Sequence, residues 1–221
     1  SAMASMVVDP ALWRGQRVLL TGHTGFKGGW LALWLSQLGA EVHGFALPPT
    51  SEYGIYCAAR LEQILASEQQ ADIRDYSAIA SCIERIQPTV VFHLAAQPLV
   101  RLSYAEPLKT WGTNVMGTAH LLQALHGQPW LKALLVVTSD KCYQNQNWHW
   151  GYREKDRLGG HDPYSASKAC QELLVDSFRS SFFAGEEAAV IASARAGNVI
   201  GGGDWSEDRL IPDAIKAFEV N

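Results

Sequence analysis

Residues 18–28 read Val-Leu-Leu-Thr-Gly-His-Thr-Gly-Phe-Lys-Gly, and the apolar spacing that follows them predicts a helix over 28–38. Gly22, Gly25 and Gly28 stand at intervals of three between an apolar run and this helix. Glycine permits a tight turn, a close backbone approach to a ligand and close packing of a helix on its strand. A helix start presents unpaired N–H groups and partial positive charge, so the stretch predicts a strand, a turn and a helix that receive a pyrophosphate.

An ordinary strand-to-helix turn would also fit a glycine triplet, but the triplet's place in the first βα unit favours a dinucleotide site. The spacing GxxGxxG resembles the extended branch of the short-chain dehydrogenase/reductase superfamily. That resemblance implies a doubly wound, parallel α/β sheet with the glycine turn at its centre, and NAD as cofactor. It assigns to the cofactor the turn residues Gly22, Thr24, Gly25, Phe26, Lys27 and Gly28.

The composition predicts one large globular domain, because 48% of the 221 residues are hydrophobic and 18% are charged. A net charge of −4 without a basic stripe argues against nucleic acid as a partner. No apolar run of about 18 residues predicts a membrane span, and no leader is recognised, so we expect a cytoplasmic protein. The four cysteines are far apart and indicate neither a metal site nor a disulfide framework, which leaves buried or incidental thiols. Ser1–Ala4 is interpreted as a cloning remnant.

Apolar runs and turn signals predict a parallel sheet of six strands, of which the strand before the glycine turn is the first, and the helices between them. The strands are expected at 17–21, 41–46, 89–94, 132–138 and 189–195, with a third strand ending before Asp72. The helices are expected at 28–38, 76–86, 107–125, 164–183 and 212–220. Trp30 and Trp34 are interpreted as core or lid packing, and His93 as a satisfied core residue.

The second strand ends without an acid for a ribose hydroxyl and without an arginine for a 2′-phosphate, so NAD is preferred to NADP. By resemblance, Asp72 and Ile73 contact the adenine; an alternative is that Asp72 or Asp75 caps the next helix. Small residues after the fourth strand stand where α/β sheets bind ligands. Leu94, Ala95 and Ala96 are assigned to the cofactor, and Gln97 to the substrate.

Tyr164 and Lys168 are four residues apart on a predicted helix, so their side chains share one face. A free tyrosine has a pKa near ~10 and is a poor base at neutral pH. A fixed lysine and a cationic cofactor ring would favour the phenolate, which could then accept a proton from a sugar hydroxyl. Lys168 also has the donors to hold the cofactor ribose. The alternative is an ordinary surface pair on an amphipathic helix.

Ser139, Asp140 and Lys141 follow the fifth strand. In the superfamily a Ser or Thr at this place donates to the substrate oxygen, and in nucleotide-sugar dehydratases an acid pair follows it. Lysine in place of the second acid resembles the cytidine-linked branch of those dehydratases, which implies CDP-D-glucose as the substrate. In that reading Asp140 protonates the leaving 6-hydroxyl, while Lys141, or a water that it orients, removes the proton at C5. An exposed charged turn is the alternative.

After the sixth strand, Arg195-x-Gly-Asn-Val-x-Gly resembles the segment that touches the sugar diphosphate, which makes Asn198 and Arg209 substrate candidates. Residues 1–12 are expected to be a cloning remnant and lead-in, and 13–200 an NAD-binding Rossmann domain that carries the catalytic residues. Residues 201–221 would begin a substrate-binding region whose remainder is largely absent. Gly201–Gly203 could equally form a flexible linker.

The resemblance predicts an NAD-dependent lyase that converts CDP-D-glucose to CDP-4-keto-6-deoxy-D-glucose in deoxysugar biosynthesis of the O-antigen type. Family members usually pair through two long helices, here 107–125 and 164–183, so a homodimer or homotetramer is expected. A dehydratase for another nucleotide-glucose and a nucleotide-sugar 4-epimerase remain alternatives. An epimerase would need Tyr164 and Lys168 but not Asp140 and Lys141. A non-catalytic NAD(H)-binding sensor is more remote.

Overall fold

The computed structural model describes residues 8–220. The interpretation of Ser1–Ala4 as a cloning remnant lies outside this range. Six strands form one parallel sheet in the order β3-β2-β1-β4-β5-β6. Their bounds are β1 Arg17–Thr21, β2 Glu41–Ala46, β3 Ser67–Gln70, β4 Val90–His93, β5 Ala133–Val137 and β6 Val190–Ala194. The strand order reverses between β1 and β4, which confirms the doubly wound sheet and places the glycine turn at its centre.

Eight α-helices connect and flank these strands. They are α1 Phe26–Gln37, α2 Ile55–Ala58, α3 Tyr76–Ile86, α4 Val100–Ala105, α5 Pro107–Trp111, α6 Gly117–Leu125, α7 Pro163–Phe182 and α8 Leu210–Val220. Short 3-10 turns occupy Pro10–Leu12, Leu61–Gln63 and Asp140–Cys142. None of the helices within residues 8–220 is long and apolar enough to cross a membrane.

Both faces of the sheet are covered by apolar cores. On β1, Val18 and Leu20 belong to a cluster with α1, whereas Leu19 belongs to a larger cluster with α3 and α6. Side chains alternate along a strand, so neighbouring residues of β1 contribute to opposite cores, and the strand is buried from Val18 to Thr21. This explains the continuous apolar run from which the sequence predicted a parallel strand.

The predicted elements are largely confirmed. β1, β2 and α3 have the predicted bounds, and α1 begins two residues earlier than expected, at Phe26. Asp75 caps α3, because its carboxylate accepts from the Ala78 N–H at 3.1 Å. The predicted helix 107–125 is divided, since residues 112–116 form a π-turn between α5 and α6. A π-turn inserts an extra residue per turn and often marks a functional position; here it contains Asn114.

Of the two alternatives for the α1 tryptophans, core or lid packing, the structure excludes the core, and Trp30 contacts the segment around Gly202. Trp30 and Trp34 are 44% and 51% exposed. The core face of α1 consists of the smaller side chains of Ala32 and Leu35 together with Gly28 and Gly29. Small residues let this helix approach β1 closely, and the bulky indoles are consequently displaced to the outer side.

Candidate active site

The glycine turn is shaped by close backbone contacts. Gly22 has a φ of +77°, and a Cβ atom there would lie 2.8 Å from the Ala95 nitrogen. A Cβ atom on Gly28 would lie 2.1 Å from the Gly22 carbonyl oxygen. At both positions a side chain would therefore clash with the backbone of the protein itself, whether or not a ligand is bound. At Gly25 a Cβ atom would meet only the Gly22 oxygen, at 3.4 Å, so this glycine leaves open space in front of α1.

The start of α1 suits an anion. No side chain caps its free N–H groups, and its first turn contains no acid. Lys27 stands in that turn, and partial desolvation together with the nearby Arg209 lowers the pKa of its amine. Unpaired N–H groups, the helix dipole and two cations favour a phosphate group at this point.

A cavity of about 250 Å³ extends from this helix start along the carboxyl ends of β2 and β4. It brings together every residue that the sequence analysis assigned to the cofactor. These are Gly22, Thr24, Gly25, Phe26, Lys27, Gly28, Asp72, Ile73, Leu94, Ala95, Ala96, Tyr164 and Lys168. The same edge of a doubly wound sheet is where dinucleotides bind, and the open position of Gly25 fits that use.

Asp72 lines this cavity, but its carboxylate is bound by Arg74. The Arg74 guanidinium donates to the carboxylate at 2.6 Å and the Arg74 N–H at 2.9 Å. These bonds lower the pKa of the Asp72 carboxyl. Asp72 closes the turn before α3 rather than capping the helix, which is the task of Asp75, and Ile73 is buried beneath the cavity.

A second cavity, of about 420 Å³, contains the residues assigned to the reaction except Lys168, which lines the first cavity. It is lined by Ser139, Asp140, Lys141, Tyr164, Asn198 and Arg209. The two cavities adjoin around the tyrosine, since they share Phe26, Lys27, Pro98, Thr138, Tyr164, Asp204 and Arg209. A cofactor in the first cavity and a substrate in the second would face each other across that phenol.

The electrostatics at Tyr164 differ from the expectation. Burial raises the pKa of the phenol, while the Ser139 side chain and the positive charge of Arg209 act in the opposite direction. Lys168 was expected to supply that charge. Its Nζ donates to Gln171 Oε1 at 2.9 Å, which does not remove its charge; Arg209 is a further cation that favours the phenolate, and the part played by Lys168 stays a prediction.

Ser139 and its neighbours are held at the end of β5. The Ser139 hydroxyl donates to Asp140 Oδ1 at 3.1 Å and accepts from the Lys141 N–H at 3.2 Å. The Asp140 N–H donates to the Ala196 carbonyl at 3.1 Å, which ties this turn to the segment after β6. The side chains of Asp140 and Lys141 are exposed.

A buried carboxylate, Glu172, joins the three segments that carry the site. Thr138 at the end of β5 donates to one of its oxygens; Ser193 and Arg195 on the β6 side donate to the other, at 2.8 and 2.9 Å. These donors lower the pKa of Glu172 against the opposing effect of burial. Glu172 was not predicted as a site residue. Its spacing of four from Lys168, on the same face of α7, was the feature of the sequence that could have identified it.

Asn114 supports the loop after β4. Its side chain accepts from the Gln97 N–H at 2.8 Å and donates to Ser167 at 2.9 Å. Gln97, assigned to the substrate by the sequence analysis, lines neither cavity. Its amide donates to Thr110 at 2.8 Å and accepts from the Leu99 N–H at 2.6 Å. We therefore leave Gln97 out of the substrate site.

The segment 201–209 is attached to α1 and α2, and is not a free linker. The Trp30 indole donates to the Gly202 carbonyl at 2.9 Å. Ile55 donates its N–H to the Gly203 carbonyl at 3.3 Å. Asp208 pairs with Arg101 at 2.8 Å. The segment thereby brings Arg209 to the junction of the two cavities, where Arg209 Nε is buried without a hydrogen-bond partner among the described residues.

Comparison with known proteins agrees with this arrangement. A family model for GDP-mannose 4,6 dehydratase matches residues 19–193. The chain belongs to this family. The match runs from β1 to β6 and so includes the glycine turn, Ser139 to Lys141, Tyr164 and Lys168.

Two kinds of relative are informative. CDP-glucose 4,6-dehydratase of Salmonella typhimurium is 50% identical over 97% of this chain, which spans 61% of that protein. A putative epimerase from Burkholderia cenocepacia has a TM-score of 0.75 at 27% identity, covering 94% of this chain and 62% of its own. A structure described as MoeE5 in complex with UDP-glucuronic acid and NAD has a TM-score of 0.74 at 26% identity, covering 92% and 61%. Family membership and the parallel fold are thus established.

Proposed function

We propose that the protein to which this chain belongs is an NAD-dependent CDP-D-glucose 4,6-dehydratase. The observation that carries the proposal is the triple Ser139, Asp140 and Lys141, which shares a cavity with Tyr164. An epimerase of the same fold has no need of the acid and the amine. The 50% identity to the Salmonella typhimurium enzyme over 97% of the chain supports the choice of the cytidine-linked donor.

NAD fits the first cavity. The uncapped start of α1, the space in front of Gly25 and Lys27 suit its pyrophosphate, and Lys168 suits a ribose. The structure of MoeE5 with NAD supports the same choice. When bound there, NAD would supply reversible hydride transfer, with C4 of the sugar as the carbon that is oxidised and C6 as the carbon that is reduced after water has left. Asp72 and Ile73 line the end of the cavity proposed for the adenine.

The second cavity fits the sugar and its diphosphate. Tyr164 accepts the proton of the sugar 4-hydroxyl, and the Ser139 hydroxyl donates to the same oxygen. The ketone that results acidifies the proton at C5, which Lys141 or a water that it orients removes. Asp140 protonates the departing 6-hydroxyl, so water leaves. Asn198 and Arg209 hold the diphosphate; the unpartnered, buried Arg209 Nε supports this role.

The protein would assemble as an oligomer in the cytoplasm. A second copy would pack on the apolar side chains exposed along α4 to α7, which are Tyr104, Leu108, Met116, Leu173 and Phe182. A homodimer or homotetramer is proposed on that ground, with 13–200 as the NAD-binding domain and 201–221 as the start of the substrate-binding region. Four cysteine thiols that form no disulfide support a location in the reducing cytoplasm. The product would enter deoxysugar biosynthesis, as in lipopolysaccharide assembly.

The test uses the full-length protein with NAD and, separately, the glucose conjugates of CDP, dTDP, GDP and UDP in deuterated water. NMR should show a 4-keto-6-deoxy product from the CDP sugar alone, with solvent deuterium at C5. A C4-inverted sugar would identify an epimerase, and turnover of another donor would reassign the substrate. Asp140→Ala separates the reactions further, because it should abolish dehydration and leave an epimerase active.

A further inference from the structure

The ammonium of Lys168 is held in one position by its neighbour on α7. Lys168 and Gln171 are buried, and Lys168 Nζ donates to Gln171 Oε1 at 2.9 Å. The Val137 carbonyl oxygen lies 3.5 Å from the same nitrogen. An ammonium has three N–H donors, so these two contacts leave one donor for the cavity that Lys168 lines.

Gln171 is fixed in turn by α6. Its Nε2 donates to Thr118 Oγ1 at 2.7 Å. Thr118 has a single hydroxyl hydrogen, which it donates to the Asn114 carbonyl at 2.7 Å. If the Gln171 amide were rotated by 180°, its Oε1 would face Thr118 Oγ1, which has no hydrogen left to donate. The Gln171 oxygen must therefore face Lys168.

The same chain of hydrogen bonds continues to the glycine turn. His93 Nε2 lies 2.9 Å from Thr118 Oγ1 and must be the donor, because the Thr118 hydrogen is already used. His93 Nδ1 then accepts from Thr21 Oγ1 at 2.7 Å. The Leu94 and Ala95 N–H groups both donate to Thr21 Oγ1 at 3.2 Å. Burial lowers the pKa of His93 to about 3, which keeps it neutral.

We propose that Gln171 is a positioning residue that aims the Lys168 ammonium at the ribose of bound NAD. The chain from Gln171 through Thr118 and His93 to Thr21 also joins this lysine to the strand that ends at Gly22. Every member is buried and satisfied, so loss of one bond leaves a buried polar atom without a partner. The inference rests on the proposed use of NAD.

The charges around Lys168 set the direction of the expected pH effect. The pKa of Lys168 is lowered to about 7; burial is the largest cause and Lys27 on α1 acts in the same direction, while Glu172 and Cys142 oppose them. His93 faces it from β4 and is neutral. The Gln171 oxygen favours the ammonium. Removing that oxygen lowers the pKa of Lys168, and a carboxylate at position 171 raises it.

The experiment compares Gln171→Met and Gln171→Glu in the full-length protein. Methionine keeps the length of the side chain and removes both hydrogen bonds. We expect Gln171→Met to weaken NAD binding about tenfold and to lower kcat by about ten- to a hundredfold, with KM for the sugar nucleotide nearly unchanged. The alkaline limb of its pH–rate profile should move to lower pH. Gln171→Glu should move the limb to higher pH. Gln123→Met, at an exposed glutamine of α6, should match the wild type.

A folded Gln171→Met protein with wild-type NAD affinity and pH profile overturns the inference. So does a variant that loses thermal stability while its profile stays unchanged, because that outcome assigns Gln171 a structural role alone. If Gln171→Met does not fold, the direction of the shift in Gln171→Glu decides. NAD affinity is measured without turnover, so a wild type that binds NAD but dehydrates no sugar overturns only the proposed reaction. A wild type that binds no NAD overturns both.

Discussion

The glycine turn is held by close contacts between backbone atoms, whereas the region around Tyr164 is held by hydrogen bonds between buried polar side chains. Gly22 and Gly28 hold their region together by lacking side chains, since a Cβ atom at either would lie within 3 Å of backbone atoms. On the other side of β4, Glu172, Asn114 and Gln171 each bind two or more partners. One region is thus determined by close packing of backbone atoms and the other by hydrogen bonds between buried side chains.

The difference decides how each region should respond to mutation. A turn built on close backbone approach fails when any side chain is added, whatever its chemistry. A buried polar network fails when one partner is removed, because the others keep the cost of burial without their hydrogen bonds. Mutations in the two regions test this contrast, and the largest effect is expected at the glycine turn.

Gly28→Ala should have the most severe effect, because its methyl group would lie 2.1 Å from the Gly22 carbonyl oxygen. α1 would have to move away from the turn, so NAD binding should be abolished or the protein should fail to fold. Calorimetric titration with NAD and thermal unfolding measure both results. Gly151→Ala is the control, because no atom lies within 4 Å of that position. Wild-type NAD affinity in Gly28→Ala would contradict the proposed origin of the turn.

Tyr164→Phe removes only the phenolic oxygen at the junction of the two cavities. We expect kcat to fall by roughly 10²- to 10⁴-fold, the usual contribution of a general base, while NAD affinity stays within a few-fold. Steady-state turnover of CDP-glucose and NAD titration provide the two readouts. Tyr76→Phe, at an exposed tyrosine of α3, is the matched control. Substantial residual turnover in Tyr164→Phe would assign the proton transfer to another group.

Glu172→Gln should cost about 3 kcal/mol in the free energy of unfolding, because Arg195 is left without its charge partner. The folded state lowers the pKa of Glu172 from 4.5, so its stabilisation is present at neutral pH and is lost as pH falls through the lowered value. Denaturant unfolding at pH 7 and in acid should therefore show a difference from wild type that shrinks in acid. Asp176→Asn, at an exposed acid of α7, should stay within about 0.5 kcal/mol; a difference independent of pH would argue against the charge pair.

Trp30→Phe should have the smallest effect, since it removes one hydrogen bond between the indole and Gly202. The segment 201–209 would lose one attachment, and the cavity that it borders should release NAD faster. We expect a loss of about 1 kcal/mol in NAD binding, roughly fivefold, measured by stopped-flow displacement. Trp34→Phe removes an equally exposed indole for which the described structure records no hydrogen bond, and should leave the rate unchanged. Equal rates in all three proteins would show that this attachment does not retain the cofactor.

Sequence reasoning worked best where structure is local. β1, β2 and α3 were predicted with their observed bounds, because apolar periodicity and turn residues act over a few neighbours. The cofactor residues also came together as predicted, since parallel strands end at one edge of the sheet. The core alternative for the tryptophans of α1 was wrong because periodicity does not say that small residues, rather than large ones, face β1.

The sequence by itself determined the positions of the strands along the chain, the position of the glycine turn and the presence of Tyr164, Lys168 and the Ser139–Lys141 triple. Only the tertiary structure decided which groups these side chains contact. Lys168 binds Gln171, Arg209 acts on the Tyr164 phenol, and Gln97 binds Thr110 of α5 and Leu99. The physical reason is that spacing along a chain fixes which face a residue occupies, whereas hydrogen-bond partners depend on packing between segments far apart in sequence.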